Sequence, residues 1–337
     1  MASLMTLLVL GLLEGAARLL PDEVSGQREV VLMAPGASET MVASEDVPGW
    51  DLQYPEGMLG QYHYTTNHWR MRGPEYPEDK GDNTLRIILT GDSSMFGYGL
   101  EWDQTMSAWL EYIYEQRQPG VDVQIANCAA PGHTTVQTIF KLERHCLDFE
   151  PDIVVIGNVN SNYTREVASD YERFHLGAYE GPGAALQQLA MYRTLRNAWL
   201  RKQMAGSSDQ APEKIAQHND PGAPKGDVRR VPVDRYEENL HTIIEMSRDA
   251  GAQPVILILP NASHVQGSNV PSLGKDEYRD IMRSVAAAEQ VPVADGPQRY
   301  QNLRYSKQLF MDTVHPGPQG ARILGELLDK TLAQNGM

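Results

Sequence analysis

Short apolar runs alternate with amphipathic segments of helical length from Leu85 to the C-terminus. Five apolar runs predict strands, at 85–90, 121–126, 152–156, 254–259 and 291–294. The amphipathic segments predict helices, at about 104–117, 134–147, 234–250, 275–289 and 318–334. Strands that alternate with helices are typical of βαβ units on a parallel sheet covered on both faces. We therefore expect an α/β fold with a five-stranded parallel sheet.

Two of the predicted helices carry explicit end signals. Asp234 and Glu237 have the spacing of a capping box, which would place Asp234 at the N-cap. Gly251 follows the last periodic residue of the same helix, where a left-handed glycine often ends a helix. Pro318 stands where the first turn of the last helix tolerates proline, because the N–H that proline lacks would have no partner there.

Three segments lie outside the alternating pattern. Residues 4–13 are an apolar run too short to span a membrane alone, and they lead us to interpret 1–20 as a signal or membrane-anchor segment, with an ordinary N-terminal helix as the alternative. Residues 21–84, rich in Pro, Gly and acidic residues, predict an N-terminal arm. Residues 163–232 interrupt the core domain, 85–334, and are interpreted as an inserted lid, with a surface loop as the alternative.

Composition and charge narrow the class of protein. The hydrophobic fraction of 41% and the charged fraction of 22% are near globular averages. A net charge of -15 without a basic patch disfavours nucleic acid as a partner, because a polyanion would be repelled. The two cysteines, Cys128 and Cys146, lack metal-ligand spacing and predict no disulfide framework, although a single bridge between them stays open.

Reactive side chains follow the predicted strands. Ligands of open parallel sheets bind beyond the carboxyl ends of the strands, and Ser93 lies on the turn directly after the first one. Asp312 and His315 are three residues apart in a turn before the last helix, so the carboxylate can reach Nδ1 and leave Nε2 as a base. A Gly-Asp-Ser tripeptide alone is a common turn, but with this Asp–His pair it predicts a serine nucleophile.

Three segments together resemble blocks I, II and V of the bacterial-type SGNH, or GDSL-type, hydrolase family: GDSSMFGYG at 91–99, NCAAPGHTT at 127–135 and DTVHPGPQG at 312–320. The resemblance covers residues 85–334 and implies a three-layer α/β/α, flavodoxin-like sandwich. It also implies roles for four residues. Ser93 would be the nucleophile and an oxyanion donor through its N–H, Gly132 a second backbone donor, His315 the base and Asp312 its orienting carboxylate. Neither a metal nor a cofactor is needed by this chemistry.

Block III departs from the family pattern Gly-x-Asn-Asp. The sequence at 157–162 reads GNVNSN, so the side-chain donor of the oxyanion hole is predicted to be Asn160 or Asn162. Counting from Pro151 without a gap would instead put Ser161 at that position. Because loss of one oxyanion donor costs about a hundred- to a thousand-fold in rate, the choice bears on activity.

The residues and the resemblance together predict a serine hydrolase that cleaves ester bonds of a lipid, small-molecule or glycan substrate through an acyl-serine intermediate. An O-acyltransferase acting on a glycan would use the same residues and is one alternative. A non-catalytic SGNH-fold envelope module that binds a glycan or a protein is another, motivated by the altered block III. The N-terminal segment predicts export or anchoring in the periplasm or cell envelope, with membrane association through the N-terminus and a cytoplasmic location as the alternative.

Overall fold

The computed structural model of the chain describes residues 14–16, 41–43, 49–52, 62–69, 71–166, 169–171, 228–270 and 276–337. They fall into two compact units, Met1–Pro35 with Arg165–Arg230 and Gly36–Thr164 with Val231–Met337. The predicted apolar segment at 4–13 and most of the predicted insertion at 163–232 lie outside the described residues. Within the described ranges, no helix combines the length and the apolar character needed to cross a membrane.

The strands in chain order are β1 (Met41–Ala43), β2 (Gly49–Leu52), β3 (Tyr62–Thr65), β4 (Thr84–Gly91), β5 (Asp122–Asn127), β6 (Ile153–Gly157), β7 (Arg165–Glu166), β8 (Val228–Arg229), β9 (Gln253–Ile258) and β10 (Val293–Asp295). In the larger unit, five of them form a parallel sheet in the order β10-β9-β6-β4-β5. A small antiparallel sheet of the same unit has the order β1-β2-β3. In the smaller unit, β7 and β8 pair antiparallel.

The α-helices of the larger unit are α1 (Ser93–Phe96), α2 (Met106–Arg117), α3 (Thr135–Lys141), α4 (Asn160–Tyr163), α5 (Val233–Asp249), α6 (Asp276–Glu289), α7 (Gly296–Tyr300) and α8 (Pro318–Gln334). The chain moves from β4 to one edge of the sheet at β5, then crosses to β6 and continues to the other edge at β10. Right-handed crossovers therefore put α2 on one face and α3, α5 and α6 on the other. Since α8 packs against α2, the result is a three-layer α/β/α sandwich, as predicted.

The central strands are largely apolar because both faces of the sheet are covered, although β4 also carries the buried polar residues Arg86 and Thr90. Ile87, Ile88 and Leu89 of β4 are all fully buried although successive side chains point to opposite faces. On one face, Ile87 and Leu89 join an apolar cluster with Leu110 of α2 and Leu324 of α8. The five strand predictions are confirmed, each to within two residues at either end.

Of the two end signals predicted for α5, the structure contradicts the one at the N-terminus and confirms the one at the C-terminus. The helix begins at Val233, with Pro232 at the N-cap and no side-chain cap, so the predicted capping box at Asp234 and Glu237 is wrong. The N-cap is Pro232, two residues earlier than predicted, because the fixed φ of proline suits the start of a helix. Asp234 lies in the first turn, where its charge complements the helix dipole. At the other end Gly251 has φ +82°, and its N–H donates to the Arg248 carbonyl, as the glycine prediction requires.

The helix predicted at 134–147 is α-helical only over α3. A π-helical turn, Leu142–Cys146, and a 3₁₀ turn, Leu147–Phe149, complete the segment. Cys146 in this turn forms a disulfide with Cys128, which follows β5 directly, and their Cα atoms are 6.1 Å apart. The bridge, which the sequence left open, ties the loop after β5 to the end of this helical segment.

Candidate active site

The carboxyl ends of the parallel strands bring three loops to one rim of the sheet. The loop after β4 carries Ser93, the first residue of α1, and the loop after β6 leads into α4. The loop after β5 is fastened to the first of these, because the Ala130 N–H donates to the Gly91 carbonyl at 3.1 Å. Segments predicted to hold the reactive residues thus meet at one rim, as expected for an open parallel sheet.

Ser93, His315 and Asp312 lie in hydrogen-bonding sequence at this rim. His315 Nε2 is 2.8 Å from Ser93 Oγ, although 222 positions separate the two residues in the chain. His315 Nδ1 is 2.6 Å from Asp312 Oδ2. This arrangement lets a neutral imidazole accept the serine proton at Nε2 while Nδ1–H remains hydrogen-bonded to the carboxylate.

Asp312 is held as an anion by the loop that carries it. Its Oδ1 accepts from the backbone N–H groups of Val314 and His315, at 2.8 and 2.7 Å. Burial alone would raise the pKa of this carboxyl, but the adjacent imidazole and the three hydrogen bonds outweigh burial and lower the pKa of Asp312 to about 2. The carboxylate is therefore charged at every pH at which the imidazole could act as a base.

The turn before Ser93 depends on Gly91 and Asp92. Gly91 has φ +152°, and a Cβ there would lie 2.4 Å from the Met95 side chain, so the tight strand-to-helix turn needs glycine. The buried Asp92 caps α1 by accepting from the Ser94 N–H at 3.0 Å. Its other oxygen accepts from the Asn160 N–H at 2.7 Å. Asp92 thus fixes the loop after β4 to the loop after β6.

The structure separates the block III candidates. Asn160 directs its side-chain amide toward the site, where Nδ2 donates to Ser94 Oγ at 2.9 Å. Asn162 is fully buried, and its Oδ1 accepts from the backbone and the hydroxyl of Thr135 at the start of α3, each at 2.9 Å. Ser161 donates its backbone N–H to Asp92 at 3.3 Å. Asn160 is therefore the one of the three whose side chain contacts the residue next to Ser93.

Gly132 lies in the turn after β5 with φ +72°, a conformation that favours glycine. The turn is closed by a 3.1 Å hydrogen bond from the His133 N–H to the Ala130 carbonyl. The role of the Gly132 N–H as an oxyanion donor stays a prediction.

Two residues near the site were not found from the sequence. Tyr98 stacks on the His315 ring, with centroids 4.9 Å apart and planes inclined by 29°. Arg72 lies in the N-terminal arm, and its guanidinium contacts the segment that follows α1. The flanking Gly97 and Gly99, both with positive φ, were the available signal for Tyr98, because glycines on both sides mark a sharply shaped loop. Arg72 carries no comparable local signal.

No cluster of three or more His, Cys, Asp or Glu side chains in the described residues is arranged to hold a metal ion. Ser93, His315 and Asp312 form a hydrogen-bonded set of hydroxyl, imidazole and carboxylate. Such a set can carry out acyl transfer by covalent catalysis.

Comparison with known proteins gives a family match. The model of the GDSL-like Lipase/Acylhydrolase family matches residues 89–323. A lipase/acylhydrolase from Enterococcus faecalis is 16% identical, with 74% of this chain and 96% of that chain covered and a TM-score of 0.46. A variant of Axe2, an acetyl xylan esterase from Geobacillus stearothermophilus, is 14% identical, with 76% and 97% covered and a TM-score of 0.48. The search of curated proteins returned no match.

Proposed function

Because this chain belongs to the GDSL-like lipase/acylhydrolase family, we propose that it hydrolyses carboxylic esters through an acyl-Ser93 intermediate. The observation that carries the proposal is the pair of short contacts on His315, at 2.8 Å to Ser93 Oγ and 2.6 Å to Asp312 Oδ2. A binding module of the same fold would not need this hydrogen-bonding sequence, and its presence favours an enzyme.

Acylation begins when Ser93 Oγ attacks the ester carbonyl carbon and His315 Nε2 takes the hydroxyl proton. The carbonyl oxygen becomes an oxyanion, and Asp312 stabilises the imidazolium that has formed. When the tetrahedral intermediate collapses, the bond to the alcohol oxygen breaks and His315 returns its proton to that oxygen. The alcohol leaves, and the acyl group stays on Ser93 as an ester.

Deacylation repeats the same steps with water. His315 Nε2 removes a proton from a water molecule, whose oxygen attacks the acyl carbon. Collapse of the second intermediate releases the carboxylic acid and returns the proton to Ser93 Oγ. If a sugar hydroxyl replaced water here, the same residues would transfer the acyl group to a glycan.

For the oxyanion we propose three donors: the Ser93 and Gly132 backbone N–H groups and Asn160 Nδ2. The Asn160 amide has two N–H bonds, and one is already directed to Ser94 Oγ at 2.9 Å. This contact holds the amide next to Ser93, where an N–H donor can stabilise the charge that develops on the substrate. Asn162 is not proposed for this role, because its fully buried carboxamide oxygen already accepts from the N–H and the hydroxyl of Thr135.

We also propose that the protein acts in an oxidising compartment, the periplasm or the cell envelope. The Cys128–Cys146 disulfide supports this location, because such bonds persist outside the reducing cytoplasm. An ester of a lipid, a glycan or a small molecule is the substrate that such a site would meet there.

A fluorophosphonate probe tests the nucleophile. We expect the wild type to be labelled, whereas Ser93→Ala and His315→Ala lose labelling while their far-UV circular dichroism stays unchanged. Ser284→Ala, on the exposed side of α6, is the matched control and should be labelled like the wild type. Labelling of Ser93→Ala at the wild-type rate, or a folded wild type that resists the probe, would sink the proposal.

Short p-nitrophenyl esters then separate the alternatives. Turnover that is abolished in His315→Ala excludes a purely binding module. A product that forms only when a glycan acceptor is added would identify a transferase instead of a hydrolase.

A further inference from the structure

Arg72, in the N-terminal arm, holds the carbonyl groups that follow the nucleophile. Its Nη1 donates to the carbonyl oxygens of Phe96 and Gly97, at 2.7 and 2.9 Å, and its Nη2 donates to Leu100 O at 2.6 Å. Phe96 is the last residue of α1, whose C-terminal carbonyls have no partner within the helix. One side chain therefore caps the helix that begins at Ser93 and the loop that leaves it.

The backbone of Arg72 is itself anchored to the sheet. Its N–H donates to the Asn127 carbonyl at 2.9 Å, and the Asn127 N–H donates back at 2.8 Å. The Asn127 side chain in turn donates to the Met95 carbonyl at 2.8 Å. The side chains of Arg72 and Asn127 thus both bind carbonyl groups at the end of α1, and the backbones of these two residues pair with each other at the end of β5.

A second residue of the arm fixes the same loop. The Tyr64 hydroxyl accepts from the Gly99 N–H at 2.9 Å, and its ring packs edge-on against Phe96 with centroids 4.9 Å apart. Between Gly97 and Gly99 the loop presents Tyr98, which stacks on His315. The arm therefore reaches the imidazole through one side chain of this loop.

Arg72 is 3% exposed, and within the part of the chain that the structure describes its guanidinium forms no ion pair with a carboxylate. Burial lowers its pKa to about 10, so it is still charged at neutral pH. A buried charge without a carboxylate is costly unless hydrogen bonds satisfy it, and here backbone carbonyls of a single segment do so. These hydrogen bonds fix the backbone conformation of residues 96–100.

We infer that Arg72 is a positioning residue of the active site, which holds α1 and the 97–100 loop so that Tyr98 packs on His315 beside Ser93. The inference rests on the proposed function for its catalytic consequence, but its geometric part concerns only the Tyr98–His315 stack. Arg72 and Tyr64 lie N-terminal to the region that matches the family, so the arm would be a working part of this active site.

The test compares Arg72→Lys with a matched control, Arg86→Lys. Arg86 is equally buried, and its guanidinium also donates to backbone carbonyls, those of Pro77, Glu78 and Phe149, but none of these belongs to the rim that carries Ser93. Both variants keep a charge and lose the fork of donors. A loss of stability alone would affect the two alike, whereas a positioning role affects only Arg72.

Two readouts are measured on folded protein. The first is the proton resonance of the His315 ring, which is assigned by its disappearance in His315→Asn. The ring-current shift of this resonance reports whether Tyr98 stacks on His315. In Arg72→Lys it should move toward its position in Tyr98→Leu, while Arg86→Lys leaves it in place. The second is the fluorophosphonate labelling rate, which should fall about tenfold or more in Arg72→Lys relative to Arg86→Lys, since a misplacement of about 1 Å can cost about a hundredfold.

The outcomes separate the inference from the proposed function. If Arg72→Lys matches Arg86→Lys in both readouts, the positioning role is overturned. If the wild type is not labelled but the His315 resonance moves in Arg72→Lys, the proposed function fails and the positioning of His315 stands. If Arg72→Lys does not fold, Tyr64→Phe removes only the hydroxyl that holds Gly99, and an unmoved resonance there overturns the role of the arm.

Discussion

Ser94 Oγ donates a hydrogen bond to the Val314 carbonyl at 3.1 Å, across 220 positions of the chain. The same hydroxyl accepts from Asn160 Nδ2 at 2.9 Å. It therefore joins the loop that carries His315 to the amide that we propose for the oxyanion, and it does so from the position next to Ser93. This link connects Ser93, the loop of His315 and the Asn160 amide, whose relative positions the proposed acyl transfer requires.

Ser94→Ala should lower kcat about tenfold with little change in KM, because the Asn160 amide loses the contact that orients it. Steady-state turnover of a p-nitrophenyl ester measures this effect. Ser247→Ala is the control, because Ser247 is also buried but donates to the Ile243 carbonyl within α5. Either hydroxyl contributes about 1 kcal/mol to the free energy of unfolding. Equal kcat values in the two variants would contradict the link.

Asn160→Ala and Asn162→Ala should have opposite effects. Loss of the proposed oxyanion donor lowers kcat about a hundred- to a thousand-fold in Asn160→Ala. Asn162→Ala leaves the Thr135 N–H and hydroxyl without their buried acceptor, so it should cost about 1–3 kcal/mol of unfolding free energy and largely preserve turnover. Turnover and urea denaturation of both variants distinguish the roles, and the reverse pattern would make Asn162 the donor.

Asp312→Asn should lower kcat by about four orders of magnitude, since an amide cannot hold His315 with Nε2 free to accept the serine proton. The fold should persist, because the Asn Oδ1 can still accept from the backbone N–H groups of Val314 and His315. A rapid burst of p-nitrophenol, followed over one turnover, shows whether acylation is the step that slows. A decrease smaller than tenfold would mean that Asp312 is not the group that orients the imidazole.

The same substitution should change how stability depends on pH. The pKa of Asp312 is lowered from 3.8 to about 2 in the folded protein, so the folded state binds this proton less readily than the unfolded chain. The ionised carboxylate therefore stabilises the fold above about pH 4, and this contribution is lost as the pH falls toward about 2. Because 35% of the Asp312 side chain is exposed and solvent weakens its interactions, we expect this contribution to the free energy of unfolding to be about 1 kcal/mol.

Urea denaturation between pH 2 and pH 6 measures this contribution. Asp312→Asn should show a flatter acid limb than the wild type, and Asp280→Asn, at an exposed position on α6, should keep the wild-type limb. Parallel curves for the wild type and Asp312→Asn would contradict the assigned shift.

Reduction of the Cys128–Cys146 bridge should destabilise the protein by about 3 kcal/mol, the value expected for a loop of this length. The bond closes a loop of 18 positions and begins one residue after the end of β5, next to the segment that leads to Gly132. Thermal unfolding with and without dithiothreitol measures the effect. The Cys128→Ala/Cys146→Ala variant should show the lower midpoint in both conditions, and an additional response of this variant to reductant would rule out the bridge as the cause.

The sequence by itself determined the parallel sheet and the three residues proposed for catalysis. Runs such as 254–259 predict strands because a strand buried on both faces is mostly apolar at successive positions, and this property is local. The Asp312–His315 contact could also be anticipated, since it spans one turn. The position of Ser93 directly after a strand was enough to place it at the sheet rim.

Only the tertiary structure decided which asparagine side chain contacts Ser94, whether the two cysteines are bonded, and what Arg72 contacts. A shift of a single residue in the start of α4 would redirect Asn160 and Asn162, and the spacing of block III leaves that start undefined. The Cys128–Cys146 distance and the grip of Arg72 on the 96–100 segment depend on how elements pack that are separated along the chain. Such distances follow from the summed packing of the whole core, which no local pattern encodes.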